Sequence, residues 1–150
     1  MSTPLGREWL ASHLPHQGCM SLLDEIVRWD ATTILARARR HGDADHPLRR
    51  GAELPIAAGI EYGAQAAAAH GALVARSDSS QAGFLASVRD VTFHARRLDD
   101  IAGALEIVAE QLGSGAAGVM YRFEVRTAAG RSLAQGRVTV AFTPARHPPM

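Results

Sequence analysis

An α+β fold, one long helix set against an antiparallel sheet, is what this sequence predicts, and three observations predict it. First, residues 54 to about 76 form the one stretch long enough for a helix of many turns. Second, two extended segments precede it. Third, about four alternating segments separated by glycine-containing turns follow it, the pattern of a strand meander. A lone helix inside an otherwise antiparallel set of strands makes an α+β arrangement, expected to occupy all 150 residues as a single domain.

The elements follow in order. "LGREWLASHL" places Leu5, Trp9, Leu10 and Leu14 at helical spacing, and Pro15 ends the helix. "SLLDEIVRWDATTILARARR" reads as two strands broken near Asp30, and in the second Ile34, Ala36 and Ala38 alternate with Leu35, Arg37 and Arg39. "HGDADHPLRRGAELP" is polar, with Gly and Pro, and its length as a loop points to function. The long helix runs from Leu54 to about Arg76, with Pro55 tolerated in its first turn. Gly59, Gly63 and Ala67 recur every fourth residue, a stripe with almost no side chain against which a sheet can close tightly. "SDSSQAG" is a turn. "FLASVRDVTFHAR", with Val91 and Phe93 on one face, then "ALEIVAEQL", "GVMYRFEVRTAAG" and "RSLAQGRVTVAF" are strands, and the tail "TPARHPPM" frays.

The composition excludes several classes. An apolar fraction of 47% and a charged fraction of 21% describe a globular chain. No apolar run is long enough to span a bilayer, and the N-terminus lacks the basic start and apolar stretch of a secretory signal. The single cysteine, Cys19, precludes an internal disulfide and suits a reducing cytoplasm. A net charge of +1 gives no bulk electrostatic reason for nucleic-acid binding. All 16 basic residues are arginine, planar donors suited to phosphate or carboxylate.

The chemistry-bearing residues concentrate in "GIEYGAQAAAAHG". At 100° per residue Glu61 and Gln65 share a helix face, while His70 lies about half a turn away and reads as a satisfied core histidine. A carboxyl group set among alanines and glycines holds its proton more readily than one in water, which is the state a general acid needs. The seven histidines include no HExxH motif, there is no pair of cysteines, and no GxSxG elbow is present, so neither a metal centre nor a serine nucleophile is expected. Cys19, beside a methionine, reads as buried and inert.

Three pieces together resemble the 3-hydroxyacyl-[acyl-carrier-protein] dehydratases of the hotdog fold. "LPHQGCMSLLDEIVRWD" is similar to that family's "LPHR…hhLhDRV" opening, with His16 and Asp24 at the matching interval. "GIEYGAQ" resembles its "hhEAhAQ" helix signature, with Glu61 and Gln65 in register. "FLASVRDVTFHARRLDD" resembles the "FAGIDEARFKRPVxPGD" strand that follows. Within the family the likeness is greatest to the small dehydratase-like proteins of aryl-polyene lipid clusters. The family's catalytic histidine sits in a "GHFPGxPxxPG" loop. Here His46 precedes Glu61 by 15 residues in "DADHPLRRGAELPIAAG", without the Phe-Pro-Gly and Pro-Gly elements.

The resemblance implies a long helix wrapped by a curved sheet, and subunits paired side by side as a homodimer, a hotdog heterodimer or a larger assembly. The active site would lie at the interface, with histidine from one subunit facing glutamate from the other. The implied reaction removes water from a 3-hydroxyacyl thioester on acyl carrier protein, giving a trans-2-enoyl thioester. His46 would be the base, with His16 as the alternative, and Glu61 the acid. Gln65 would orient Glu61, and the N–H groups of Ala58 and Gly59 would hold the thioester oxygen. Arg49, Arg50, Arg96 and Arg97 are candidates for the pantetheine arm and its acidic carrier. No cofactor or metal is implied. The rival expectations are a hotdog thioesterase, which uses its helix carboxylate to activate water, and a non-catalytic partner subunit of a heterodimeric dehydratase.

Overall fold

The structure is a computed structural model and describes residues 4–14, 20–75 and 83–142. The chain enters through helix α1 (Arg7–His13), seated by Leu10 and Leu14, both buried. It continues into strands β1 (Glu25–Trp29) and β2 (Thr33–Ala38), then helix α2 (Ala58–Ala75). Four strands complete it: β3 (Gly83–Phe93), β4 (Leu105–Gly115), β5 (Gly118–Thr127) and β6 (Ser132–Phe142). All six strands form one antiparallel sheet in the order β1-β2-β4-β5-β6-β3.

Two of the strand connections show the chemistry their turns require. Between β1 and β2, the Asp30 carboxylate accepts the N–H groups of Thr32 at 2.9 Å and Thr33 at 2.8 Å, closing an Asx turn. Between β4 and β5, Gly118 takes φ 134, and a Cβ there would lie 2.3 Å from the Val140 carbonyl oxygen. Along β4 the alternation is regular: Leu105, Ile107 and Ala109 are buried while Glu106, Val108 and Glu110 are less so.

The buried face of the sheet closes on α2, which touches β2 and each of β3 to β6. The small-residue stripe makes that closure possible. A Cβ on Gly63 would sit 2.4 Å from Phe123 Cγ, and one on Gly59 would be 3.4 Å from Ala134 Cβ. The Phe123 ring therefore lies where any larger residue at 63 would have to stand.

One boundary and one burial pattern differ from the sequence expectation. The helix starts at Ala58, not Leu54. Pro55 lies before the first turn and pairs with Arg97 as an isolated bridge, while Ile56 donates its N–H to Arg96. The pairing holds Pro55 beside Arg97, and residues 56–57 then form the turn that leads into α2, although the composition suits a helix. Strand β3 also departs from a half-buried pattern: Leu85, Val88 and Phe93 are 37%, 38% and 43% exposed on this edge strand of the sheet. The expected turn at 77–82 and the tail from 143 lie outside the described residues.

Candidate active site

The site is built on the first two turns of α2. Glu61 stands in the first turn and is half-buried. It lines an open depression of about 350 Å³ with Leu48, Arg50, Pro55, Ala57, Ala58 and Ile60. The carboxylate therefore stands at the lip of an apolar opening and is less enclosed than its neighbours in sequence suggest. The sheet covers the glycine stripe, whereas on the face carrying Glu61 residues 48–60 line the depression.

One turn on, Gln65 is almost fully buried at 1% exposure and makes three hydrogen bonds. Its Oε1 accepts the Leu22 N–H at 2.9 Å, and its Nε2 donates to the Met20 carbonyl at 2.8 Å and to Glu61 Oε1 at 3.2 Å. The amide thus clamps the segment before β1 to the helix and spends its remaining hydrogen on the carboxylate. Asp24, the carboxylate of the opening motif, accepts the Arg39 N–H at 2.6 Å and Arg40 Nε–H at 2.9 Å. That pairing ties β1 to the base of the long loop.

His46 sits in that loop and is 7% exposed. Its Nδ1 accepts the Leu48 N–H at 3.1 Å, so the ring proton is on Nε2, which donates to the Tyr62 hydroxyl at 2.9 Å. Both nitrogens are committed inside the chain, and the ring offers no lone pair to a substrate proton in this arrangement. Burial, with Arg40 next, pushes its pKa below the ordinary histidine value. The expectation that His46 stands as a base opposite Glu61 therefore meets a specific obstacle, the tyrosine hydroxyl. Tyr62 itself is fully buried, and burial raises its pKa. It had a visible signal in the sequence: a bulky polar ring among glycines and alanines, where the family's helix signature has alanine. His16, the alternative base, lies outside the described residues, as does Cys19.

The remaining expected residues divide. The N–H groups of Ala58 and Gly59 donate to the carbonyls of Pro55 at 3.0 Å and Ile56 at 2.8 Å. These donors, expected to receive a thioester oxygen, are already used in the tight turn that leads into α2. Arg49 reaches the Ala52 carbonyl at 3.1 Å and Asp99 at 3.7 Å. Arg97 is bound to Asp99 and, at 3.0 Å, to Glu53, and its guanidinium holds the Asp99 carboxyl well below the usual range. Arg49 and Arg97 are thus internal ties. Arg50 is exposed at the lip, and Arg96 is largely exposed while touching Glu53 at 2.9 Å. His70 is the core histidine expected, fully buried between the Tyr121 hydroxyl at 2.7 Å and the Asp30 carbonyl at 2.9 Å.

A curved antiparallel sheet wrapped round one small-residue helix, with a carboxylate in that helix's first turn, defines a hotdog-fold protein. The chain belongs to the ApeP-like dehydratase family, whose model it matches over residues 9–148. It is accordingly a dehydratase, and its chemistry is the removal of water from hydroxyacyl thioesters. No curated protein sequence matches it significantly. Among solved structures it is similar to a chain of the dehydratase heterocomplex ApeI:P from Xenorhabdus doucetiae, with 20% identity and a TM-score of 0.79 over 95% of this chain and 93% of that one. It is also similar to a thioesterase from Haemophilus influenzae, at 13% identity and TM-score 0.61 over 82% and 80% of the two chains. A thioesterase from Pseudomonas aeruginosa matches at 18% identity and TM-score 0.56 over 79% and 80%. At these identities the structural likenesses establish the fold.

Proposed function

We propose that this chain supplies the acid of a dehydratase acting on 3-hydroxyacyl thioesters carried on the phosphopantetheine arm of an acyl carrier protein. The observation that carries this reading is the Glu61 carboxylate, aimed by a buried glutamine at the lip of an apolar depression. An imidazole takes the proton from the carbon next to the thioester carbonyl. The C–H electron pair becomes the new Cα=Cβ bond, and the Cβ–O bond breaks. Hydroxide leaves poorly, so Glu61 in its acid form delivers a proton to the departing oxygen and water is released. Of the two histidines the sequence offers as base, His46 has both nitrogens engaged and His16 lies outside the described residues. A step written this way needs neither metal nor nucleotide. Arg50 and Arg96, at the exposed side of the loop, are the basic residues proposed to meet an acidic carrier.

A paired hotdog subunit belongs to this reading. The exposed edge β3, with Leu85, Val88 and Phe93 outward, supports pairing sheet to sheet, and the similar Xenorhabdus chain comes from a heterocomplex. The discriminating experiment incubates the protein, alone and with its hotdog partner, with a 3-hydroxyacyl thioester. Enoyl thioester absorbing in the near ultraviolet is the expected product; free thiol without enoyl product would instead identify a thioesterase.

A further inference from the structure

We infer that His46 and Tyr62 form a latch that positions one wall of the substrate depression, and that His46 is not the base of the reaction. The inference rests on the dehydratase reading above but concerns a different residue pair. It begins with the loop itself. The His46 N–H donates to the Asp43 carbonyl at 3.2 Å, and its own carbonyl accepts the Arg49 N–H at 3.1 Å. Its ring accepts the Leu48 N–H and donates to Tyr62 on α2. Four hydrogen bonds therefore meet at one residue, and one of them crosses from the loop to the helix.

What the latch holds is the wall. Leu48 and Arg50 line the depression opposite Ala58 and Glu61, and they follow His46 by only two and four residues. Tyr62 adjoins Glu61 on the helix but points into the core, about 100° round from it. The His46–Tyr62 contact thus fixes how far the loop stands from the helix face that carries the acid. Losing it frees the wall while leaving the Glu61–Gln65 pair, on another face, intact. A ring that donates through Nε2 and accepts through Nδ1 is saturated, which suits a structural tie and not a group that must take a proton in each turnover. The charged and titratable groups that act on it are Arg40, Asp43, His41 and Arg49 from the loop and its base, with the Tyr62 hydroxyl from α2.

The test compares His46→Ala, His46→Gln and Tyr62→Phe, with Glu61→Gln as the separate control, in the dehydrating assembly with a 3-hydroxyacyl N-acetylcysteamine thioester. The latch predicts that His46→Ala and Tyr62→Phe raise KM severalfold. It predicts that His46→Gln, whose amide can both accept and donate, rescues most of the loss, with the pH–rate profile unchanged. A fall in kcat of about 10²–10⁴ for His46→Gln, with loss of the acidic limb of that profile, is the signature of a general base and would overturn the inference. Failure of the dehydratase reading looks different: Glu61→Gln is then indistinguishable from the parent, whatever His46 does. A readout independent of turnover is nitrogen-15 NMR of the His46 ring. The Nε2–H tautomer is expected, and an Nδ1–H ring would refute the latch.

Discussion

Gln65 shows how much of the site hangs on one neutral side chain. Its carbonyl and amide ends hold a segment more than 40 residues earlier in the chain while also reaching Glu61. Replacing it with leucine leaves the Leu22 N–H and the Met20 carbonyl without this partner. Each buried polar group left unpaired costs about 1–3 kcal/mol, so Gln65→Leu is expected to lower the urea midpoint clearly and reduce turnover as well. A variant as stable as the parent would show that the clamp is not made. The spacing of Glu61 and Gln65 was legible in the sequence because four residues is one helical turn. The clamp to Met20 and Leu22 was not, since no local pattern joins a helix to a strand entry so far away. Tyr62 was equally visible as a letter, but its effect on His46 depends on a contact between residues 16 apart, with an irregular loop between them.

At the scale of elements, the packing of α2 decides the fold, and its stripe of small residues was the most informative sequence feature. The Phe123 ring lies against Gly63, so Gly63→Ala must displace an aromatic side chain. Overpacking of this kind costs about 1–3 kcal/mol, and a drop of that size in unfolding free energy is expected; an unchanged stability would mean the helix stands off the sheet. His70 ties the same helix to the β1–β2 turn. Its pKa is lowered from 6.5 by burial, although the Asp30 contact opposes the shift. The unfolded chain therefore takes up the proton first. The neutral ring's contribution is complete above about pH 6.5 and is lost as the pH falls toward the lower folded value. His46 is shifted the same way and adds to the effect. Thermal scans should show the melting temperature falling from pH 7 to pH 5, with a smaller fall for His70→Gln. A melting temperature independent of pH over that interval would contradict a neutral buried ring. The helix starts later than its composition suggests for a physical reason: Asp99 and Arg97 hold the backbone of Leu54 and Pro55, so the chain enters α2 through a turn at 56–57.

The molecule as a whole presents a sheet with one conspicuous open edge. Strand β3 exposes Leu85, Val88 and Phe93, large apolar residues that an isolated chain gains nothing by leaving in water. The alternation of Val91 and Phe93 was legible, but its meaning was not, because an edge strand's exposure is set by what pairs with it. If β3 pairs in the proposed assembly, Val88→Lys is expected to reduce the mass seen in light scattering while leaving the circular dichroism of the chain intact; an unchanged mass would remove β3 from that role. No described helix is long and apolar enough to cross a membrane. The succession of elements along the chain, the central helix and the placing of Glu61 on it follow from the sequence, whereas the partners of His46 depend on loop contacts that spacing alone does not encode. The most direct test of the account is the rate of enoyl thioester formation by Glu61→Gln against the parent chain, in the same assembly and with folding verified. A loss of about 10²–10⁴ is expected, the scale of a removed general acid. Undiminished formation of the enoyl product by Glu61→Gln would contradict it.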